Sequence, residues 1–461
     1  MWDLAFWGLT AGGGALWGWF EANRRRLRFW QETAAACGLS AVESSSVWNL
    51  QLALAAQAGL AGAWIGHNGK GTRVGLRVPG PPGFKELRIA RELSKPGARE
   101  IEVGDELFDS TFAVEGPVRL ACALLDAEAR RLLLSTTAES DLVLESELLR
   151  AETSDTQLPR ILSLLLDLGR RFARPMDVAQ CLAENALQDP EAGVRLRNLL
   201  LLVRALPGEP ATREVLRAAC SDASPQIRLR AAIELRAEGR GVLEELAESM
   251  EDDACSAEAL RLVSRELPFE RTTAILSQAL RRRLIHTAQA ALEALGRSDN
   301  AAAVSTLAKV MAREQGELAA TAAQALGVTR NAAAEPPLIL ALGRDVADLR
   351  IAAAKALARV GSVAAVPPLK DAAETFSHDP DLARAARQAI AEIQSRLPGA
   401  SPGQLSLAGA EAGQLSLAQA EAGQLSLATE AAGQLSLPPE EAGQLSLSES
   451  EEGLQPARES E

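Results

Sequence analysis

Ten residues recur in this chain at nearly constant spacing. Gln226 to Leu235 (QIRLRAAIEL) aligns with Asp348 to Leu357 (DLRIAAAKAL), and both carry R-x-x-A-A-x-x-L. Val194-Arg195 to Leu202 has the same shape, with Asn198 and Leu199 in the alanine places. Looser copies begin at Thr287, Leu318 and Leu382, and an indistinct one covers 257–267. The clear starts, 194, 227, 287, 318, 349 and 382, lie 33, 60, 31, 31 and 33 residues apart, and the indistinct unit divides the gap of 60. A period near 31 is too short for a domain and suits one antiparallel helix pair with its turns. Leu349, Ala352, Ala353, Ala356, Leu357 and Val360 make one helical stripe. A single pair cannot bury such a stripe, so neighbouring pairs must stack.

Turn chemistry agrees with that reading. Asp222-Ala223-Ser224-Pro225 and His378-Asp379-Pro380-Asp381 precede their helices, where capping side chains and early proline are favoured. Gly239, Gly296, Gly327 and Gly361 fall at helix ends, as C-terminal breakers do. The pattern resembles the bacterial HEAT-like repeats of the phycobiliprotein-lyase type over about half the chain. The arrangement is also similar to bacterial HEAT-repeat proteins that place a GD-x-x-FD-bearing domain before the solenoid. Gly104, Asp105, Phe108 and Asp109 carry that match, followed by Leu124-Leu125-Asp126. The resemblance implies an α-solenoid scaffold for protein binding and no particular chemistry. Some HEAT-like proteins are bilin lyases or isomerases, and others are alkylbase DNA glycosylases. Glycosylases of that kind use aromatic residues around an extruded base. Residues 158–397 hold only Phe172, Phe269 and Phe376, with no Trp or Tyr, and no bilin signature is identifiable.

Charge is spread unevenly. Residues 160–397 hold 31 basic and 31 acidic residues, so that stretch is neutral, whereas a nucleic-acid-binding domain usually shows a basic excess. Nucleic acid is therefore not expected as a partner. The five cysteines are odd in number and none has CxxC spacing, which argues against a disulfide framework or a zinc knuckle. His67, His286 and His378 are scattered, and no GxSxG or HExxH string occurs.

The N-terminal run Leu4 to Phe20 is uncharged and is followed by Arg24, Arg25, Arg26 and Arg28. As a helix its 17 residues rise about 26 Å, slightly short of a hydrocarbon core. Trp2, Trp7, Trp17 and Trp19 lie near its ends, as interfacial anchors do, and Gly8/Gly12 and Gly14/Gly18 have GxxxG spacing. The expectation is a single-pass anchor in the inner (cytoplasmic) membrane with a cytoplasmic body; the alternatives are a cytoplasmic protein whose helix is buried or interfacial, and a cleaved signal, which the acidic Asp3 and the lack of a basic residue before the run disfavour.

Between about 35 and 150 the chain reads as a small α+β domain. Val47 to Ala63 is expected to be helical. Arg73–Val78, Leu87–Ala90, Ile101–Val103 and Thr111–Val114 read as strands, and Pro117 to Leu134 as one helix. Within GDELFD, Asp105 and Asp109 are read as turn-forming acids around a buried Phe108. Gly66 to Thr72 (GHNGKGT) suggests a phosphate loop. However, Trp64 stands where that loop needs glycine, and a strand pattern follows where it needs a helix, so a hairpin loop is expected.

From 398 onward Gly-Gln-Leu-Ser-Leu recurs five times, starting at 403, 413, 423, 433 and 443. That stretch has one Arg, ten Glu and no aromatic residue, so disorder is expected. Leu405, Leu407, Leu415, Leu417, Leu425 and Leu427 are the candidate contact residues of a multivalent tail. QLSL also resembles the start of the sliding-clamp-binding motif, but the aromatic anchor that ends that motif is missing.

The expected fold class is mixed: an apolar N-terminal helix with its basic flank (1–34), a small α+β domain (35–157), an all-α HEAT-like superhelical solenoid (158–397) and a disordered decapeptide-repeat tail (398–461). The expected function is a non-catalytic, membrane-tethered scaffold for an unknown protein or peptide, without metal or cofactor. The alternative is a HEAT-like enzyme or nucleic-acid-binding protein acting on an anionic substrate. Arg195, Arg228, Arg281, Arg282, Arg283 and Arg350 are the candidate partner-binding residues. On that basis Arg350→Ala should cost little, whereas Leu357→Asp should unfold its repeat.

Overall fold

The computed structural model describes residues 3–44, 51–55, 60–67, 71–137, 140–298 and 300–396, with side chains described from Trp17 onward except at 43 and 44. The GQLSL tail, Lys70 with its neighbours 68 and 69, and parts of the Val47–Ala63 stretch lie outside these residues.

Helix α1 (Asp3–Ala36) runs unbroken through the uncharged segment and the arginine cluster. Its second half turns Leu27, Trp30 and Ala34 into the core. There the Trp30 indole N–H and the Arg26 guanidinium both donate to Asp155, at 3.4 and 2.8 Å. The expected membrane anchor is therefore corrected: among the described residues no helix is long and apolar enough to cross a membrane. The reason is in the run itself. Its 17 residues include five glycines and a threonine, and spanning needs about 20 predominantly apolar positions. The basic flank is not a separate topogenic segment but the continuation of a helix that packs on the protein.

Among the described residues eight strands form one antiparallel sheet in the order β1-β2-β3-β4-β8-β7-β5-β6. They are β1 (Ala41–Ser44), β2 (Gln51–Leu54), β3 (Gly62–His67), β4 (Thr72–Arg77), β5 (Arg88–Ala90), β6 (Ala113–Glu115), β7 (Asp141–Glu145) and β8 (Leu148–Thr153). Short α2 (Glu106–Asp109), α3 (Val118–Leu124) and α4 (Ala127–Thr136) interrupt the strand order, and α5 (Leu158–Phe172) lies against β4 and β8.

Several local expectations change. Val47 to Ala63 supplies β2 and the start of β3, because Leu52 and Leu54 alternate inward and pair with Ile65 and Ala63. Ile101–Val103 is not a strand, although the Ile101 N–H donates to the Val114 carbonyl at 2.8 Å. Strand β6 begins two residues later than expected. Pro117 to Leu134 is two helices. Asp126 divides them: its side chain accepts from the Ala129 N–H at 2.9 Å and caps α4. His67 pairs with Thr72 across β3 and β4, so the glycine-rich segment joins two antiparallel strands.

Beyond α5 the chain is a row of antiparallel helix pairs. The first three are α6 (Val178–Gln188) with α7 (Ala192–Ala205), α8 (Pro210–Ala219) with α9 (Pro225–Leu235), and α10 (Arg240–Ser249) with α11 (Asp253–Val263). The next two are α12 (Phe269–Arg282) with α13 (Ile285–Gly296), and α14 (Ala301–Arg313) with α15 (Glu317–Val328). The last two are α16 (Glu335–Leu342) with α17 (Ala347–Val360), and α18 (Val366–Thr375) with α19 (Pro380–Ser395). Every repeat start read from the sequence falls on the second helix of a pair. These second helices pack side by side from α11 to α19 and bury chiefly alanine and leucine. Small side chains allow that approach. Gly296 and Gly327 mark the closest points: a Cβ on Gly327 would sit 2.7 Å from the Ala356 Cα, and one on Gly296 would sit 2.8 Å from the Ala325 carbonyl oxygen. Neither glycine has a positive φ, so they serve close packing rather than a left-handed cap.

The apolar core falls into two clusters that meet in α9. One joins α1, the sheet and the helices up to Ala231, and the other runs from Leu229 to Ile393. Leu357 is fully buried in the second cluster. Leu357→Asp would place an unpaired carboxylate there and should cost about 4 kcal/mol or more. Thermal unfolding of the full chain measures it, and curves that coincide with wild type would contradict the packing.

Candidate functional site

The recurring arginine sits at the start of the second helix, where its side chain can reach two loops. Arg195, Arg228 and Arg350 each donate to a carbonyl six residues back: those of Asp189 at 2.8 Å, Asp222 at 2.8 Å and Arg344 at 3.0 Å. Each also faces a carboxylate on the next repeat. Arg195 grips Asp222 with two bonds of 2.8 and 2.9 Å, and Arg228 meets Glu251 at 2.6 Å. Arg350 lies 4.0 Å from Asp379 and stacks 3.8 Å from the centre of the Phe376 ring. Where this arginine is absent another group spans the gap. Asp253 accepts from the N–H groups of His286 and Thr287 at 3.0 and 2.8 Å. These residues form a polar ladder along one edge of the stack.

That geometry corrects the expected cost of Arg350→Ala. The side chain is 4% exposed and its Nε is buried without a hydrogen-bond partner. The carbon stem, the Phe376 stack and the Arg344 carbonyl hold it in place. The other basic candidates differ. Arg281, Arg282 and Arg283 are exposed at the end of α12, where cations complement the helix carbonyls. Leu405, Leu407, Leu415, Leu417, Leu425 and Leu427 lie outside the described residues.

The start of the row is held by a residue that no repeat pattern marks. Arg130 in α4 is 2% exposed and takes Asp189 with two bonds of 2.9 Å, Asp105 at 2.8 Å and the Leu125 carbonyl at 2.9 Å. Burial would lower its pKa, but the two carboxylates outweigh burial and raise it above the ordinary arginine value. Asp105 also caps α2 through the Phe108 N–H, while Asp109 accepts from the Val103 and Gly104 N–H groups. The GDELFD string is thus a folded turn with Phe108 fully buried. Gly104, at φ 102°, meets Gly193 so closely that a Cβ would lie 2.5 Å from the Gly193 carbonyl carbon. The motif docks the sheet onto α7. Arg130 was illegible in the sequence, because its neighbour Arg131 looks identical there yet is 64% exposed.

Free surface on the stack is found between α13, α15 and α17. A groove of about 300 Å³ is lined by Glu293, Arg297, Thr321, Gln324, Val328, Lys355 and Arg359, with Ala325 and Ala356 as its floor. Glu293 is paired with Arg261 at 3.3 Å. Arg297, Lys355 and Arg359 make no ion pair with a described carboxylate. Val328 is 41% exposed among them. Other chemistry is sparse. Among the described residues no three His, Cys, Asp or Glu side chains gather as metal ligands. Burial pushes the Cys122 thiol up to about 11 and, with Asp252, the Cys255 thiol up to about 12, which leaves both protonated and poorly nucleophilic.

Two outcomes are expected of the ladder. Arg350→Ala should cost at least about 2 kcal/mol, from the lost ring contact and the orphaned Arg344 carbonyl, read by urea denaturation. Asp222 yields a pH effect. Burial raises its pKa, but Arg195, the Ser224 N–H and Arg228 outweigh burial and hold it below the ordinary 3.8. Its folded-state value is depressed, so its stabilisation is present above the unfolded value and is lost as pH falls through the folded one. Asp222→Asn should therefore be less stable than wild type at neutral pH, with the difference shrinking below about pH 4. Unfolding midpoints across that range measure it.

None of the curated proteins matches the chain. Human deoxyhypusine hydroxylase, solved in complex with glycerol, is similar at 16% identity and a TM-score of 0.22, over 47% of this chain and 96% of that one. An engineered protein of known structure is similar at 20% identity and a TM-score of 0.21, over 47% of this chain and 89% of its own. Likeness at that level carries no inference about activity. Residues 311–391, from the last turn of α14 into α19, match the family described as HEAT repeats.

Proposed function

We propose that the protein is a non-catalytic scaffold whose second-helix face takes an acidic segment of a protein partner. The observation that carries this reading is the placement of Arg297 on one side, and of Lys355 and Arg359 on the other, of the repeat that carries Val328. They flank the exposed Val328 and make no ion pair with a described carboxylate. HEAT repeats generally mediate protein–protein interaction, which supports a protein as the occupant. An extended peptide with acids spaced to the repeat would meet these cations, and an apolar side chain would cover Val328. The ladder arginines have a different duty, since their guanidiniums are occupied within the stack. Arg281, Arg282 and Arg283 remain exposed at the opposite end of α13 from Arg297, as a separate basic surface. The reading requires neither metal nor cofactor.

Charge reversal tests it. The double variant Lys355→Glu/Arg359→Glu should lose, by at least about tenfold, proteins that wild-type full chain retains in quantitative affinity capture. Lys309→Glu, an exposed change on α14, should retain them. If both variants keep or both lose the same proteins, the groove is not the binding surface.

A further inference from the structure

A second basic site, beyond the scaffold reading, lies where the sheet region meets the first repeat. Helix α7 places Arg197, Leu201, Arg204 and Ala205 on one face, at helical spacing. Val118 and Arg119 at the start of α3 face them, and Arg99 closes the side from the loop after β5. Together they line a cavity of about 460 Å³. Four of its seven lining residues are arginine and none is acidic.

In the rest of this body arginines find carboxylates readily: Arg88, Arg130, Arg171, Arg195 and Arg228 all do. Arg99, Arg119, Arg197 and Arg204 make no ion pair with any described carboxylate. The Arg197 Nε is buried and has no hydrogen-bond partner, although its guanidinium lies beside the Cys122 thiol. Asp109, the acid that acts electrostatically on that thiol, is already taken by the Val103 and Gly104 N–H groups. Converging like charges with an orphaned buried donor ask for an anion from outside the chain.

We propose that this cavity binds the phosphoryl group of a small phosphorylated ligand. Guanidinium forks match phosphate oxygens in pairs, and several forks at one point suit two or more negative charges. Val118, Leu201 and Ala205 supply an apolar wall for an organic moiety, and the volume is in the range of small-molecule sites. An extended nucleic-acid backbone is the poorer match, because the helical region around the cavity is neutral, with 31 basic and 31 acidic residues over 160–397.

The test is calorimetric titration of the full chain with inorganic pyrophosphate, and separately with ADP, in chloride buffer free of phosphate. Saturable one-to-one binding with a Kd below about 1 mM is expected, weakening with salt. Arg119→Glu and Arg204→Glu, both at exposed positions, should each weaken it at least about tenfold. Thermal unfolding of the two variants without ligand shows that they remain folded. Tighter binding of ADP than of pyrophosphate would place an organic moiety on the apolar wall, and equal binding would assign recognition to the phosphates alone; both support the site. No saturable pyrophosphate binding at about 10 mM, or binding that both variants retain, overturns it.

Discussion

The helix pairs from α10 to α19 depend on alanine and leucine faces that have no cover except the next repeat. A second helix such as α15 buries Ala319, Ala322, Ala323 and Leu326 all round, against its own first helix and against both lateral neighbours. At roughly 25 cal/mol per Å² of apolar surface, each such face stabilises its neighbour as much as itself. A stack of this kind must be closed at its ends. The N-terminal closure is the sheet region with α1, whose core runs without a break into α7, α8 and α9. What the sequence presents as a membrane anchor contributes Trp30 to that closure.

Apolar faces set the stacking but do not select a register, because alanine surfaces are nearly featureless. The polar ladder supplies that selection. Arg195 to Asp222, Arg228 to Glu251, Asp253 to Thr287 and Arg350 with Phe376 each tie one repeat to a defined point on the next. Arg130 does the same between sheet and stack, with Asp105 and Asp189 at its two ends. Removing one partner of a buried group like this costs about 3–5 kcal/mol, since the remaining charge is left without water or counter-charge. A ladder built of arginine also explains why the stack can be neutral overall and still expose cations. Paired guanidiniums occupy the edge, while Arg297, Lys355 and Arg359 on the second-helix face and the four arginines beside α3 make no ion pair with a described carboxylate.

The second helices were legible in detail. Their starts at 194, 227, 287, 318, 349 and 382, and the faint unit near 257, coincide with α7, α9, α13, α15, α17, α19 and α11. The sheet was less so. Strands β7 and β8 turn on Ser146 and Glu147, both at positive φ, without the glycine or asparagine that usually signals such a turn. Val47 to Ala63 is rich in alanine and leucine and reads as helix, yet Gln51–Leu54 finds its hydrogen bonds across β3. Composition could not reveal that partner, because the pairing is decided by the register of β3 on β4. The candidate arginines show the same limit. A repeated arginine signals a repeated duty, but whether that duty faces a partner or the next loop depends on where Asp222 and Asp379 lie in space.

By itself, then, the sequence determined a period, an apolar stripe and the residues that recur with them, because helical periodicity is a local property of the chain. Tertiary structure alone decided which charges are spent inside. Arg130 and Arg131 are adjacent and chemically identical, and only packing makes one a buried clamp and the other a solvated side chain. It also decided that Arg99, Arg119, Arg197 and Arg204 converge, since they come from segments about a hundred residues apart that no local pattern connects.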